Sequence, residues 1–203
     1  MDPKDIVRDG YDRISREYRG DEDEDGRYAV WLGELAALVP EGGRVLDLGC
    51  GNGIPAARWL AAHGFAVYGV DFSQVMIERA RTLLPEATFE CADMTSLDLP
   101  PASQDAVVAF YSLIHVPVEE QPSLLAQIAS WLRPGGCAML IVGVGAWTGT
   151  EDDWLGATMY WSHADRDTYL AWLTQAGFEI EWDRFVPEGD GGHTLVLART
   201  GES

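Results

Sequence analysis

Residues 45 to 53 combine an apolar strand with a glycine-rich turn, a pairing that is typical of nucleotide sites. The segment reads Val-Leu-Asp-Leu-Gly-Cys-Gly-Asn-Gly, with Gly49, Gly51 and Gly53 at every second position. Because glycine has no Cβ, these positions can take positive φ and let backbone N–H groups approach a ligand. The helix that follows would add its partly positive N-terminus. The segment therefore predicts a ligand at the end of this strand.

Two acids near this turn narrow the ligand class. A second apolar strand, 65–71, ends in Asp71, and a carboxylate there can accept hydrogen bonds from both hydroxyls of a ribose. Asp47, two residues before the first glycine, would repel a pyrophosphate but attract a cation. A dinucleotide fingerprint also requires a glycine where Ile54 stands. The sequence favours a cationic, adenosine-containing ligand, with an NAD(P)-dependent oxidoreductase as the alternative enzyme class.

The ordered motifs resemble those of the class I S-adenosylmethionine-dependent methyltransferases. The resemblance runs from Val45 through the turn at 133–136 and, less strictly, to the C-terminus. It implies S-adenosyl-L-methionine as the cofactor and S-adenosyl-L-homocysteine as the product. In that family the glycine turn holds the amino-acid end of the cofactor, and the residues implied here are Asp47, Gly49, Gly51 and Gly53.

The same resemblance assigns contacts to the adenosine. Asp71 would bind the ribose hydroxyls, and Phe72 would flank the adenine. Asp93 would lie near the adenine amino group, with Met94 against the face of the base. Taken alone, Asp93 is more typical of a turn cap than of a base contact.

From Arg44 onward strands and helices alternate, which predicts βαβ crossovers and a mostly parallel sheet. The expected strands lie near 44–48, 66–70, 87–91, 105–110, 137–143, 178–185 and 193–199. Core helices are expected near 54–63, 74–84, 119–132 and 165–176. The fold class expected is α/β. The resemblance implies a single-domain Rossmann-like methyltransferase fold with a mostly parallel seven-stranded sheet, a C-terminal antiparallel hairpin and helices on both faces.

Two further helices are expected before the sheet, near 3–19 and 26–38. In the first, Tyr11 and Tyr18 stand at helical spacing, a pattern similar to the N-terminal lid helix of small-molecule methyltransferases. There an aromatic hydroxyl closes over the cofactor, and Tyr18 is the contact predicted here. Both tyrosines could equally dock the helix. We expect residues 1–40 to form a helical lid and 41–203 a catalytic domain, within one folded unit.

Reacting groups are expected after the fourth strand, because ligands of open parallel sheets lie beyond the carboxyl ends of the strands. Tyr111 and His115 follow that strand, and Tyr111 is predicted to contact the cofactor. If the acceptor is a hydroxyl, a base is useful, and His115 is the predicted catalytic residue. A structural role or a cofactor contact for His115 is the alternative. His163 and His193 are further candidates.

Large amphipathic side chains crowd the connection after the fifth strand. They are Trp147, Trp154, Met159, Tyr160, Trp161, Ser162 and His163. Such density predicts a pocket wall for an apolar or aromatic acceptor. Cover for the sheet edge or a subunit contact is the other interpretation of each ring.

The composition argues against nucleic acid as a partner. The 203 residues include 33 acidic and 14 basic side chains, and the net charge of −19 would repel a phosphate backbone. The acidic run at 21–25 is expected to be a solvated loop. We expect three buried, reduced cysteines, no metal site, no membrane segment, a cytoplasmic location and a monomer or homodimer.

The sequence thus predicts a methyltransferase that uses S-adenosyl-L-methionine and methylates O or N of a small, partly apolar metabolite. A methyltransferase-like scaffold that binds the cofactor without transferring its methyl group is the alternative that is not an enzyme.

Overall fold

The computed structural model describes residues 2–22 and 26–202, and its strands make two sheets. The larger sheet has seven strands in the order β3-β2-β1-β4-β5-β9-β8. The first five of these are parallel, and β9 and β8 are antiparallel to their neighbours, so the predicted fold class is confirmed. The strands are β1 (Arg44–Leu48), β2 (Ala66–Asp71), β3 (Thr88–Cys91), β4 (Gln104–Ala109), β5 (Leu132–Gly143), β6 (Trp147–Trp154), β7 (Ala157–His163), β8 (Phe178–Glu188) and β9 (Gly191–Thr200).

The central strand β1 is buried on both faces, as parallel strands covered by helices usually are. Val45 packs into the core on one face, whereas Leu46 and Leu48 pack into the core on the other. β1 pairs with β2 on one side and with β4 on the other. Since strand order reverses at this point, the carboxyl ends of β1, β2 and β4 surround a natural ligand crevice.

Helices cover both faces of the large sheet. Side chains of α2, α3 and α4 fill the core on one face, and those of α5 and α6 fill the core on the other. Ser73 caps α4 by accepting a hydrogen bond from the backbone N–H of Met76 at 3.1 Å. The helices are α1 (Pro3–Tyr18), α2 (Gly26–Ala36), α3 (Ala56–Ala62), α4 (Gln74–Leu83), α5 (Gln121–Trp131) and α6 (Arg166–Gln175).

The first helix belongs to neither main core. Val7 and Ile14 of α1 pack against Met159 of β7 in a separate apolar cluster. Ser73 donates a hydrogen bond to Asp12 of α1, so that the helix is also tied to the start of α4. This placement puts α1 across the carboxyl ends of the parallel strands, over the crevice.

The smaller sheet is a hairpin of β6 and β7 that sequence analysis did not predict as strands. Its register pairs Thr148 with Ser162 and Thr150 with Tyr160. The aromatic density noted in the sequence therefore arises from two paired strands rather than from an irregular connection. The signal that was missed is the presence of threonine and aromatic residues, which favour strands, on both sides of a turn at Gly156.

Two smaller expectations need correction or restriction. Cys50 and Cys137 are buried free thiols, but Cys91 is exposed, because it ends the edge strand β3. Within the acidic run, Asp21 forms an ion pair with Arg79 of α4 rather than being only solvated. Positions 23–25 of that run lie outside the described residues.

Candidate functional site

The glycine turn after β1 has the left-handed backbone that its composition predicts. Gly49 has φ of 74° and Gly51 has φ of 54°. A Cβ on Gly49 would lie 2.2 Å from Cβ of Ser112, whereas one on Gly51 would have no atom within 4 Å. Only glycine fits beside Ser112, and Gly51 faces open space that a ligand can use.

Gly53, the third glycine of the turn, packs closely against the core. A Cβ there would lie 2.9 Å from Cδ1 of Leu84 and 3.3 Å from Cζ of Phe89, both of which belong to the core. Gly53 also lies outside the walls of the cavities described below. Its small size therefore lets the turn pack against the core, and the structure shows no ligand-facing role for it.

A first cavity of about 640 Å³ lies over the carboxyl ends of β1, β2 and β4. Its wall is formed jointly by the sheet, the segment after β3 and helix α1, which was predicted to act as a lid. The structure brings nine of the predicted site residues together here: Tyr18, Gly49, Gly51, Asp71, Phe72, Asp93, Met94, Tyr111 and His115.

Asp71 is fixed by the backbone around it. Its Oδ2 accepts a hydrogen bond from the N–H of Gly51 at 2.9 Å, and its Oδ1 accepts one from Ser73 at 2.9 Å. Burial raises the pKa of Asp71 to about 6, although these backbone hydrogen bonds act in the opposite direction. Asp71 is thus largely ionised at neutral pH, and its carboxylate lies in the cavity wall as an acceptor for ligand hydroxyls.

Asp47 is a buried acid whose outer oxygen lacks a partner. The residue is 2% exposed, and among the described residues Oδ2 has no hydrogen-bond donor. Burial, followed by the charge of Asp71, raises the pKa of Asp47 to about 7. Asp47 lines a groove of about 360 Å³ that continues along Gly49 and Gly51. A cation bound in this groove would supply the counter-charge that the carboxylate lacks.

Asp93 lies in the wall of the first cavity, but its oxygens already have partners. One accepts from the backbone of Thr95 at 2.9 Å, and the other pairs with Lys4 of α1 at 2.8 Å. Burial acts to raise the pKa of Asp93, but Lys4 and Thr95 lower it overall. Asp93 therefore caps a turn, as its sequence context alone suggested, and also joins the lid to the cavity. Met94 beside it lines the same cavity.

His115 is held between the lid and the hairpin. Its Nδ1 lies 2.7 Å from the carbonyl oxygen of Tyr160, and its Nε2 lies 2.9 Å from the hydroxyl of Tyr11. Since a carbonyl only accepts, Nδ1 carries the proton, and Nε2 accepts from Tyr11. Burial lowers the pKa of His115 to about 4. These contacts favour a neutral, structural imidazole over the base that the sequence predicted.

Tyr11 lines the first cavity although it was not among the predicted cofactor contacts. It lines the same cavity as Tyr18, which was the predicted contact. The two rings meet edge to face, with centroids 5.0 Å apart. Their spacing along α1 was a visible signal, but the contact of Tyr11 with His115 joins residues far apart in the chain.

A second cavity, of about 630 Å³, lies beyond the first. Tyr11, Tyr18, Tyr111 and His115 line both cavities and form the border between them. The remaining wall of the second cavity consists of Arg19, Arg27, Tyr28, Trp154, Trp161, Glu188 and His193. Of the seven residues from which a pocket wall was predicted, two line this cavity, Trp154 and Trp161 of the β6–β7 hairpin.

Tyr111 stands at this border in a strained backbone conformation. Its φ of 57° is rare for a residue with a side chain. Its ring contacts that of His193 edge to face, with centroids 5.3 Å apart. Such strain is often kept where a side chain has to be aimed at a site.

Two features are absent from residues 2–22 and 26–202. No helix there is both long and apolar enough to cross a membrane. Nor do three or more His, Cys, Asp or Glu side chains in those ranges come together in a group that could hold a metal ion.

Known proteins resemble this chain in both sequence and structure. A family model for a methyltransferase domain matches residues 45–136. Over 110 residues the chain is 41% identical to the 27-O-demethylrifamycin SV methyltransferase of Amycolatopsis mediterranei, covering 50% of this chain and 40% of that protein. The chain therefore spans less than half the length of that relative.

Solved structures match over more of the chain. An S-adenosylmethionine-dependent methyltransferase from Mesorhizobium loti superposes with a TM-score of 0.66 at 27% identity, covering 82% of this chain and 96% of that one. The magnesium protoporphyrin IX methyltransferase of Synechocystis, solved with bound S-adenosylmethionine, gives a TM-score of 0.75 at 21% identity, covering 99% and 98%. The second likeness shows a shared fold.

Proposed function

This chain belongs to the class I S-adenosylmethionine-dependent methyltransferase family, and from that premise we propose that it binds S-adenosyl-L-methionine and methylates O or N of a small, partly apolar metabolite. One observation carries the proposal. Oδ2 of Asp47 is buried without a hydrogen-bond partner among the described residues, and Asp47 lines a groove beside the glycine turn. A cationic group bound in that groove would pair with this oxygen.

The residues present fit this cofactor. Asp47 suits the ammonium of its amino-acid end, and Asp71 suits the two ribose hydroxyls. Phe72 and Met94 offer apolar surface for the adenine in the first cavity. When bound, the cofactor supplies a methyl carbon that is activated by a positively charged sulfur.

The contribution of the protein is alignment and exclusion of water. We propose that segment 1–40 acts as a lid, because Lys4, Tyr11 and Tyr18 of α1 all line the first cavity. The Lys4–Asp93 ion pair and the hydrogen bond from Tyr11 to His115 hold the closed position. The methyl group would pass the border residues into the second cavity.

The acceptor is proposed to lie in the second cavity, where Trp154 and Trp161 present apolar surface. The name of the Amycolatopsis relative describes methylation of an oxygen on a rifamycin, which supports a small-molecule acceptor here. The net charge of −19 supports the same conclusion against nucleic acid.

Calorimetry with S-adenosyl-L-homocysteine tests the cofactor assignment, and absence of binding would remove it. Incubation with methyl-labelled cofactor and a metabolite extract then tests transfer. Binding without any labelled product would favour the scaffold alternative, whereas binding of NAD(P)H in place of S-adenosyl-L-homocysteine would favour the oxidoreductase.

A further inference from the structure

His193 and Glu188 form a pair in the wall of the second cavity that the proposed function does not use. Nδ1 of His193 lies 3.1 Å from Oε2 of Glu188. Glu188 ends β8 and His193 lies near the start of β9, where its cross-strand partner is Val186, and both Glu188 and His193 line the second cavity. A carboxylate beside one ring nitrogen favours the proton on that nitrogen and leaves the other with a free lone pair.

The position of this pair relative to the border is the second observation. The ring of His193 contacts that of Tyr111, which lines both cavities. His193 is therefore in direct contact with a residue of the border, where methyl transfer between the two cavities is proposed to occur. Its side chain remains 18% exposed, whereas His115 is almost fully buried and both of its ring nitrogens are engaged.

We propose that His193 is the general base of the reaction, that Glu188 is its positioning residue, and that the acceptor is a hydroxyl on an apolar or aromatic molecule. This inference rests on the proposed function and deepens it from methylation of O or N to methylation of O. His115 then has the separate task of holding Tyr11 of the lid.

The charges around the second cavity favour a hydroxyl over an amine. Glu188 is the acidic residue in the wall of this cavity. Its carboxylate lies 3.8 Å from the guanidinium of Arg27 and 3.1 Å from Nδ1 of His193. Arg19 adds a further positive charge to the same wall. A protonated amine would be repelled by these arginines, and the carboxylate of Glu188 that could attract it already pairs with Arg27 and His193. A neutral hydroxyl pays no such penalty but needs a base to become a good nucleophile.

The proposed step balances. Nε2 of His193 takes the hydroxyl proton as the acceptor oxygen forms its bond to the methyl carbon. The carbon–sulfur bond breaks, and its electron pair stays on sulfur, which becomes neutral. The imidazolium that results is stabilised by Glu188 and later releases its proton to water.

Several groups set the protonation of His193. Burial lowers its pKa, Glu188 of β8 raises it, and His163 of β7 lowers it. The other titratable or charged groups that line the second cavity are Tyr11, Tyr18, Tyr28, Tyr111, His115, Arg19 and Arg27. Removing the charge of Glu188 should therefore lower the pKa of His193 and weaken it as a base.

Nitrogen-15 NMR of histidine-labelled protein tests the pair without any acceptor. In the wild type we expect His193 to carry its proton on Nδ1, with Nε2 unprotonated above its pKa. Glu188→Gln should lower that pKa, and Glu188→Asp should restore it in part. The signal is assigned by its loss in His193→Gln. A proton on Nε2, or a pKa that Glu188→Gln leaves unchanged, would overturn the inference.

Transfer of labelled methyl groups into a metabolite extract supplies the second readout. His193→Gln should lower the rate at pH 7 by 10²-fold or more, while its affinity for S-adenosyl-L-homocysteine stays within twofold. Glu188→Gln should lower the maximal rate and move the acidic limb of the pH profile to lower pH. The exposed His63 is the control, and His63→Gln should behave as the wild type.

The outcomes separate the two proposals. Full turnover in His193→Gln with normal cofactor binding rejects His193 as base but leaves the methyltransferase assignment intact. A greater loss in His115→Gln than in His193→Gln, again with normal cofactor binding, also rejects it. Failure of the wild type to bind S-adenosyl-L-homocysteine rejects the proposed function itself, whatever the NMR result.

Discussion

The two cavities of this protein are built in different ways, although they share a border of four side chains. The first is formed mainly by the ends of parallel strands and the turns directly after them, with hydrogen bonds between neighbouring strand ends such as Gly51 to Asp71. The second collects α1, the start of α2, the β6–β7 hairpin and the β8–β9 hairpin. The first therefore depends on backbone geometry, and the second depends on packing between distant segments.

This contrast indicates which of the two cavities can change its lining residues without loss of the fold. Residues of the first cavity follow strands that also form the core, so their positions are fixed by burial on both faces of the sheet. The hairpin that supplies Trp154 and Trp161 lies outside the large sheet. We infer that acceptor selectivity can change there at little cost to cofactor binding, and the four experiments below test that separation.

The largest expected effect is on the ribose site. Asp71→Ala should weaken binding of S-adenosyl-L-homocysteine by about 2–4 kcal/mol, because two hydrogen bonds to a charged acceptor are lost. The turn also loses the acceptor for Gly51 and Ser73. Calorimetry at pH 7.5 measures the change. The exposed Asp98 provides a control in Asp98→Ala, and equal affinity of the Asp71 variant and this control would contradict the ribose assignment.

The next effect is a pH dependence that originates at Asp47. Its pKa is about 7 in the ligand-free protein, so binding of a cationic group should release a proton from it at lower pH. The affinity of the wild type should fall roughly tenfold per pH unit as the pH drops below 7. Calorimetry between pH 5.5 and 8, in buffers of different ionisation enthalpy, measures both the affinity and the proton release.

Asp47→Asn is the matching variant. It should bind more weakly at pH 8 by about 1.5–3 kcal/mol, since a charged hydrogen bond is lost, and it should bind with a flat profile between pH 6 and 8. The ligand-free variant should gain about 1–3 kcal/mol of unfolding free energy at pH 8, because the raised pKa means that burial of the ionised form costs stability at high pH. An unaltered pH profile would show that Asp47 does not face the ligand.

A smaller and selective effect is expected on the aromatic side. Trp154 lines the second cavity but not the first, so Trp154→Leu should leave affinity for S-adenosyl-L-homocysteine within twofold. Methyl transfer into the extract should fall several-fold as acceptor contacts are lost. Trp147 of the same hairpin is 48% exposed, and Trp147→Leu is the control. A large loss of cofactor affinity in Trp154→Leu would mean that the two cavities are not separate in function.

The smallest effect is expected at the border. Tyr11→Phe removes the hydroxyl that donates to His115, which should lower the unfolding free energy by about 0.5–1.5 kcal/mol. A double-mutant cycle with His115→Gln isolates the interaction. Denaturant unfolding measures it, and a coupling energy near zero would show that this hydrogen bond does not hold the lid.

Sequence reasoning was strongest where local chemistry and spacing carry the structure. The turn glycines, Asp71 at the end of β2 and the alternation of strands and helices predicted the sheet and much of the first cavity. Two features were not predicted because they depend on contacts between segments: the packing of Gly53 against Leu84 and Phe89, and the pairing of β6 with β7. Sequence reasoning also placed Cys91 in the interior, because strand order decides which strand lies at an edge.

By itself, the sequence predicted the family, a site for a cationic ligand and the elements that build that site, because these predictions follow from residue types at short spacing. Only the tertiary structure decided which histidine is free to take a proton. His115 and His193 are both plausible bases along the chain, yet one is held by Tyr11 and Tyr160 and the other lies beside Glu188. The protonation of a side chain depends on its neighbours in space, and those neighbours come from segments that only folding brings together.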